Sequence, residues 1–238
     1  MADLPDALHH AASLVLDFDA GLLHVIALSL GISLGATTAA SLLGLPLGAA
    51  LAVLRFSGRR GLILLANALL GLPPVVVGLA LYLLLSRVGP LGRMRLLFTP
   101  AAMVLAQLLL ALPIVAALAH RAADAIWRTY GDDLRVNGAG PLQSILTVLA
   151  IGRAEMLTAV LAGFGRTISE VGAILVVGGN IVGYTRTMTT SIVLETSRGN
   201  FAFALALGGV LVGISLAVSA AAFALATRRD RAVPPTPR

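Results

Sequence analysis

The chain has no cysteine and no lysine, and it is poor in aromatic and charged residues. Without cysteine it has no disulfide bonds, no thiol chemistry and no cysteine-ligated metal. Aromatic residues make up 5% of the 238 residues and charged residues 12%, so its apolar surface comes mainly from Leu, Ala, Val and Ile. Apolar residues reach 58%, whereas a soluble domain rarely exceeds half. The composition therefore indicates a membrane protein.

The charges that are present lie between long apolar runs, and the mean hydropathy is +0.95. In lipid every backbone polar group must be satisfied internally, which favours helices. The 25 glycines are typical of closely packed transmembrane helices. We therefore predict an all-α, polytopic membrane protein. The net charge of +6 does not indicate a nucleic-acid partner, because the arginines stand at span ends, where orientation charges belong.

The apolar runs predict one transmembrane domain over residues 1–238, with a polar loop at 120–153 and a disordered tail at 227–238. Residues 1–23 are mixed, and we expect a short helix at the membrane interface there. We expect Pro73-Pro74 to break the second span and Pro113 the third. A Gly- and Thr-rich loop is predicted between the last two spans. The five predicted spans cover about residues 24–54, 62–85, 100–119, 154–177 and 201–226.

The distribution of arginines predicts the orientation of these spans. With the 120–153 loop and the C-terminus inside, most arginines lie on the inner side, as the positive-inside rule requires. An odd number of spans then places the N-terminus outside. The arginines left on the outer side are Arg87, Arg93, Arg95, Arg186 and Arg198. The first three fit this orientation poorly.

The polar loop has the pattern of two helices joined by a sharp turn. Gly138 and Gly140-Pro141 interrupt the helical pattern, and glycine permits the backbone angles that a turn needs. Apolar residues then recur at helical spacing, at Leu142, Ile145, Leu146 and Leu149. A short exposed helix between two spans can fill a groove on a partner and transmit its motion. The spacing alone equally fits an ordinary cytoplasmic loop with an amphipathic helix.

The segment D-D-L-R-V-N-G-A-G-P at 132–141 resembles the EAA loop of bacterial ABC-transporter permeases, which docks into the ATP-hydrolysing subunit. Asp132, Asp133 and Leu134 stand at the E-A-A positions, and Gly138 at the conserved glycine of that motif. The second Ala and the closing Leu-Pro of the motif are missing, and L-A-I-G stands in their place. The resemblance implies a docking loop that comprises Asp132, Asp133, Leu134, Gly138, Ala139 and Pro141.

The resemblance extends from His24 to Ala226. Over this range the chain is similar to the type I permeases that import molybdate and tungstate. The segments 71–92, 169–181 and 185–201 carry it, and the last, T-R-T-M-T-T-S-I-V-L-E-T-S-R-G-N-F, is similar to the tungstate-type branch. It implies a homodimer in the bacterial cytoplasmic membrane, a cytoplasmic ABC ATPase and an extracytoplasmic oxyanion-binding protein. Molybdate or another oxyanion is the alternative substrate.

The chain lacks the G-x-x-x-x-G-K-[ST] phosphate loop. The expectation is therefore a transport subunit that is not an enzyme, with no catalytic residue, metal site or cofactor of its own, and with ATP and Mg held by the partner ATPase. An ion-coupled secondary carrier is a second hypothesis. Such carriers usually have two repeated halves and acids near the midplane for the coupling ion, but no internal repeat is evident here and Glu170 is the one candidate acid. An intramembrane enzyme would need a nucleophile–base pair or metal cluster, which the predicted spans lack.

Two charged residues fall in the interior of the fourth predicted span, away from its ends. Arg166 and Glu170 are four residues apart, on one helix face, and able to pair. Because a charge at mid-bilayer costs about 2.5–3.5 kcal/mol on insertion scales, both should face protein or water. They are either an element of the translocation path or a packing pair. The other candidates for the path are amides and hydroxyls near the outer end, namely Gly178, Gly179, Asn180, Thr189 and Thr190.

Two amide side chains, Asn67 and Gln107, lie within the second and third predicted spans. They are predicted to form interhelical hydrogen bonds in preference to substrate contacts.

Overall fold

The computed structural model describes residues 20–230, and of residues 222, 223 and 225–230 it describes the backbone alone. Nine α-helices and two 3-10 helices, with no strand, make up the regular structure of these residues, which confirms the all-α class. The α-helices are α1 Ala20–Val53, α2 Arg59–Ala68, α3 Pro74–Leu85, α4 Pro100–Val136, α5 Pro141–Ile151, α6 Arg153–Ile168, α7 Gly172–Gly178, α8 Met188–Ser197 and α9 Phe201–Asp230. The 3-10 helices are Leu69–Gly71 and Gly92–Met94.

Both chain ends carried predictions that fall partly outside the described residues. An interfacial helix was expected within residues 1–23, of which residues 1–19 are outside the described part of the chain. Residues 20–23 belong to α1, which begins at Ala20. The tail was predicted at 227–238, and residues 231–238 are outside the described part of the chain. Its first four residues continue the backbone of α9.

Three helices within residues 20–230 are long and apolar enough to cross a membrane: Ala20–Val53, Pro100–Val136 and Phe201–Ala221. Two bent pairs meet the same test, α2 with α3 and α5 with α6, and the second pair bends by 77°. Counting each pair as one span gives five. The boundaries differ from the predicted spans, because α4 continues past residue 119 and α6 ends at Ile168, short of residue 177.

Proline acts differently at two kinds of position. Leu72 and Pro73 are extended and Pro74 is the first residue of α3, so the Pro pair ends one helix and begins another, as predicted. Pro113, in contrast, lies inside a continuous α4, and the predicted break there is wrong. A single proline removes one backbone donor, and the packing of α4 along its length keeps the helix continuous.

The first of two compact units contains the described residues up to Ala36, Pro73–Leu109 and Arg166–Leu216. In it α3 packs closely on α7. A Cβ on Gly78 would lie 2.8 Å from Cα of Ala173, so only glycine permits this approach. Polar residues are unusually common in its interior, and we return to them below.

The second unit contains Thr37–Leu72, Leu110–Gly165 and the chain from Ala217. Here α1 and α4 pack through small residues. A Cβ on Gly48 would lie 2.6 Å from the backbone oxygen of Ala116, and Gly44 faces Val115. This is the Gly-x-x-x-Gly spacing of close transmembrane contacts. Its apolar cluster comprises Ala49, Ala52, Val53, Ala119, Ala123, Ile126, Val148 and Met156.

The region between residues 178 and 200 corrects one prediction. We expected a loop, but residues 188–197 form α8. Thr187 and Thr190 form a reciprocal capping box, which satisfies the first backbone donors of the helix. Burial of Met188 and of the residues after it outweighs the low helix propensity of threonine.

Candidate functional site

The predicted docking loop is a tightly closed turn between α4 and α5. Gly138 has φ +75°, and its amide donates to the oxygen of Arg135 at 3.0 Å. The amide of Ala139 donates to the oxygen of Leu134 at 2.9 Å. These two bonds define a Schellman cap, which terminates α4 and reverses the chain. Pro141 then opens α5 at its first position, so the predicted helix–turn–helix is confirmed.

Helix α5 has two apolar faces with different surroundings. Val148 is fully buried in the apolar cluster of the second unit, and Ile145 and Leu149 pack against it. Leu142 and Leu146 are 70% and 58% exposed. They line an open cavity of about 630 Å³ with Pro141 and Thr147. The four apolar residues predicted from spacing therefore divide between an anchoring face and a free one.

The acidic residues before the turn are on the surface. The carboxylate of Asp132 accepts from Arg135 at 2.8 Å, and that guanidinium lies 5.0 Å from the centre of the Trp127 ring. The carboxylate of Asp133 is exposed and has no partner among the described residues. The contact of Arg135 with Trp127 was not predicted, although their spacing of eight residues places both on one face of α4. It leaves Asp133 as the free negative charge of the loop.

The predicted pair of Arg166 and Glu170 forms in the first unit. Nη1 of Arg166 donates to Oε2 of Glu170 at 2.7 Å, and Oε1 accepts from the amide of Ala173 at 3.0 Å. Glu170 lies past the end of α6 and just before Val171, the N-cap residue of α7. Its carboxylate caps the first-turn amide of Ala173, so the pair joins two helices and does not lie along one. The Glu170 side chain is 3% exposed and that of Arg166 is 31% exposed. The guanidinium therefore retains access to its surroundings, and the carboxylate does not.

The two threonines proposed for the path are buried and held by the protein. The hydroxyl of Thr189 donates to the backbone oxygen of Glu170 at 2.7 Å, which brings α8 to the charged pair. The hydroxyl of Thr190 accepts from the amide of Thr187 at 3.0 Å in the capping box. The hydroxyl of Ser29 on α1 accepts from the amide of Met188 at 2.7 Å. Polar bonds thus fix α8 to α1 and to Glu170.

The remaining path candidates form a second group around Thr185. Its hydroxyl donates to the oxygen of Gly178 at 2.6 Å and accepts from the amide of Ile181 at 2.9 Å. Gly179 and Asn180 both have positive φ, at +70° and +51°. The side-chain oxygen of Asn180 is buried without a hydrogen-bond partner. No hydrogen bond or ion pair between described residues joins Thr185, Gly179 or Asn180 to the Arg166–Glu170 pair, so the predicted path residues belong to two hydrogen-bonded groups.

Both amide side chains predicted to bridge helices do so. Nε2 of Gln107 donates to the backbone oxygen of Thr167 at 2.9 Å, from α4 to α6. Oδ1 of Asn67 accepts from Arg121 at 2.8 Å, from α2 to α4. Sequence reasoning missed Glu195, which is nearly buried and accepts from Asn200 at 3.0 Å and Arg198 at 3.3 Å. Its place inside a supposed loop concealed it.

The described residues contain no group of three or more His, Cys, Asp or Glu that could hold a metal ion. Within residues 20–230, the three long apolar helices and the two bent pairs indicate a multi-pass helical membrane protein.

Comparison with known proteins identifies the family. A tungstate uptake system permease protein of Peptoclostridium acidaminophilum is 38% identical over 94% of this chain and 99% of its own length. A probable anion ABC transporter permease protein of Haloferax volcanii is 40% identical over 84% and 88% of the two chains. A molybdenum transport system permease protein of Azotobacter vinelandii is 32% identical over 62% and 69%. No family model matches the chain. The chain belongs to the oxyanion-importer family of ABC-transporter permeases.

Proposed function

We propose that this chain is the membrane-spanning subunit of an ABC importer that takes up tungstate, with molybdate as the alternative substrate. The observation that carries the proposal is the match to a tungstate permease along almost the whole of both chains. The chain itself performs no catalysis in this account. A cytoplasmic ATPase holds ATP and Mg, and an external binding protein delivers the oxyanion.

The two faces of α5 support ATPase docking at the 132–141 loop. Leu142 and Leu146 offer apolar surface to a groove on the ATPase. Val148, on the opposite face, anchors α5 in the apolar cluster that contains parts of α1, α4 and α6. A displacement of α5 by the ATPase therefore moves packed helices, not a free loop. We further propose that two copies enclose the pore, with their N-termini outside.

The surroundings of Glu170 support an ATP-driven importer over an ion-coupled carrier. A coupling acid must exchange its proton or ion during each cycle. Both carboxylate oxygens of Glu170 are occupied, by Arg166 and by the amide of Ala173. We propose that the partly exposed Arg166 guanidinium faces the path of the anion, and that Glu170 weakens its hold on a dianion so that the anion is released.

Substitutions on the free face of α5 test the docking proposal. The double change Leu142→Glu/Leu146→Glu should abolish co-purification of the ATPase and leave the yield of the permease unchanged, because both side chains are already exposed. The matched control, Leu142→Met/Leu146→Met, keeps the apolar surface and should retain the ATPase. Full retention of the ATPase by the glutamate variant would contradict the proposal.

Substrate choice is tested by competition in proteoliposomes that contain the full transporter and its binding protein. Uptake of tungstate is measured by elemental mass spectrometry, with molybdate and sulfate as competitors. We expect tungstate to be taken up at the lowest concentration and sulfate to compete poorly. Preferential uptake of sulfate would contradict the substrate assignment, while the assignment of an ABC permease would stand.

A further inference from the structure

Three arginines outside the sites described above line one cavity. Arg87, Arg93 and Arg95 belong to the loop between α3 and α4, and the cavity that they share has a volume of about 1000 Å³. Tyr82, Leu85, Leu97 and Phe98 form its apolar wall. All of these residues belong to the first unit. The lining of the cavity therefore combines cationic and apolar residues.

The three guanidinium groups have no partner within residues 20–230. None of them forms an ion pair or side-chain hydrogen bond there, and all three residues are exposed. The sequence has no acidic residue between Asp19 and Asp124. The described part of the first unit contains two acids, Glu170 and Glu195, and each is already paired with another arginine. Within the described residues of this unit, no carboxylate compensates the positive charge of the cavity.

The loop that carries these arginines is closely held. The amide of Leu91 donates to the oxygen of Leu84 at 3.0 Å, and the amide of Phe98 donates to the oxygen of Val177 on α7 at 2.8 Å. A Cβ on Gly89 or Gly92 would collide with backbone oxygens of the preceding turn. Arg95 and Phe98 both have positive φ, at +53° and +62°. A preformed cavity loses little conformational freedom when a ligand binds.

The charges also oppose the orientation of the chain. The proposed topology puts this loop on the outer side, where the positive-inside rule disfavours arginines. Arginine is the side chain best suited to tetrahedral oxyanions, because its planar fork donates two parallel hydrogen bonds. We infer that the Arg87–Arg93–Arg95 cavity is an external binding site for a tetrahedral oxyanion group. This inference rests on the proposed function, because the outward placement of the loop comes from the proposed topology. It adds an anion site on the outer side of the pore.

The same chemistry has two sources, a free oxyanion such as tungstate and the phosphate of a lipid headgroup. A free oxyanion needs only the arginines, whereas a lipid would also use the apolar wall. The test uses the full-length chain in nanodiscs without ATP, ATPase or binding protein, so that it does not depend on transport. Tungstate binding is measured by equilibrium dialysis in phosphatidylcholine nanodiscs. Retention of phosphatidylglycerol is measured by native mass spectrometry.

The test variant is Arg87→Gln/Arg93→Gln, which leaves the strained backbone at Arg95 untouched. The matched control, Arg55→Gln/Arg60→Gln, removes the same charge from exposed arginines before and at the start of α2. We expect the test variant to bind tungstate, or to retain phosphatidylglycerol, about tenfold more weakly than the wild type. The control should match the wild type. Arg87→Lys/Arg93→Lys keeps the charge without the fork and should give an intermediate result.

Each outcome decides the inference. Weakened tungstate binding supports it with a free anion as ligand, and loss of phosphatidylglycerol alone supports it with a lipid phosphate. Equal binding of both probes by the wild type and the test variant overturns it. ATP-driven uptake by the wild type together with such equal binding would refute this inference and leave the proposed function intact. Weaker binding by the test variant, together with no ATP-driven uptake by the wild type, would refute the proposed function.

Discussion

Removing Arg166 alone should harm the protein more than removing Arg166 and Glu170 together. Arg166→Ala leaves the Glu170 carboxylate 3% exposed without its cation. An uncompensated buried charge costs about 3–5 kcal/mol, and the remaining bond from Ala173 places the expected loss near the lower end, at about 3 kcal/mol. Glu170→Ala should cost about 2 kcal/mol, because α7 loses its cap and the partly exposed Arg166 still reaches polar surroundings.

The double change, Arg166→Ala/Glu170→Ala, removes both charges and should cost only the loss of the cap, about 2 kcal/mol. The two single losses then exceed the double loss by about 3 kcal/mol, which is the coupling within the pair. Glu170→Gln, which keeps an acceptor for the Ala173 amide, should be milder than Glu170→Ala.

The measurement is the free energy of unfolding in mixed micelles. Unfolding is monitored by the circular dichroism of the helices and by the fluorescence of Trp127, the sole tryptophan. Tungstate uptake per assembled complex is measured in parallel. A double loss equal to the sum of the single losses would refute the coupling. Wild-type stability in both single variants would show that the pair is hydrated. If the double variant is more stable than Arg166→Ala but does not regain uptake, the pair also acts on the path of the anion.

Three further predictions follow from backbone and topology. Gly138→Ala should cost about 1 kcal/mol, because φ is +75°, and should weaken ATPase co-purification. Gly140→Ala, whose Cβ meets nothing within 4 Å, is the control, and equal behaviour of the two variants would contradict the role of the Schellman cap. Gly48→Ala should cost about 1–3 kcal/mol by forcing α1 from α4, measured against Gly31→Ala in open space, and a stable Gly48 variant would contradict this packing. Reporter fusions at residues 130 and 234 should be cytoplasmic, and one at residue 190 should be external. A cytoplasmic location of the fusion at residue 190 would contradict the proposed topology.

The sequence predicted those features that depend on local chemistry. Pro73-Pro74 divides a span because neither residue can donate to a helix ladder, and Gly138 turns the chain because it alone tolerates the required φ. The contact of Arg166 with Glu170 was predicted, but from a continuous helix, whereas the helix with Arg166 ends at Ile168 and Glu170 lies beyond it. Helical periodicity likewise predicted α5 from Leu142 to Leu149.

Features that depend on tertiary packing were not predictable in this way. Pro113 stays inside α4 because neighbouring helices support it, and α8 forms because burial of Met188 and the bond from Ser29 stabilise a threonine-rich segment. The division of α5 into an anchored and a free face required knowledge of what packs against Val148. The burial of Thr189 and Thr190 also depends on residues distant in sequence.

The central claim is that transport by this chain is driven by ATP hydrolysis on another subunit. The most direct test reconstitutes the chain in proteoliposomes with and without its ATPase, and with the binding protein supplied outside. We expect tungstate uptake only when the ATPase and ATP are both present, and none when the Leu142→Glu/Leu146→Glu variant replaces the wild type. Oxyanion uptake by the purified chain alone, driven by a proton or sodium gradient, would contradict the account.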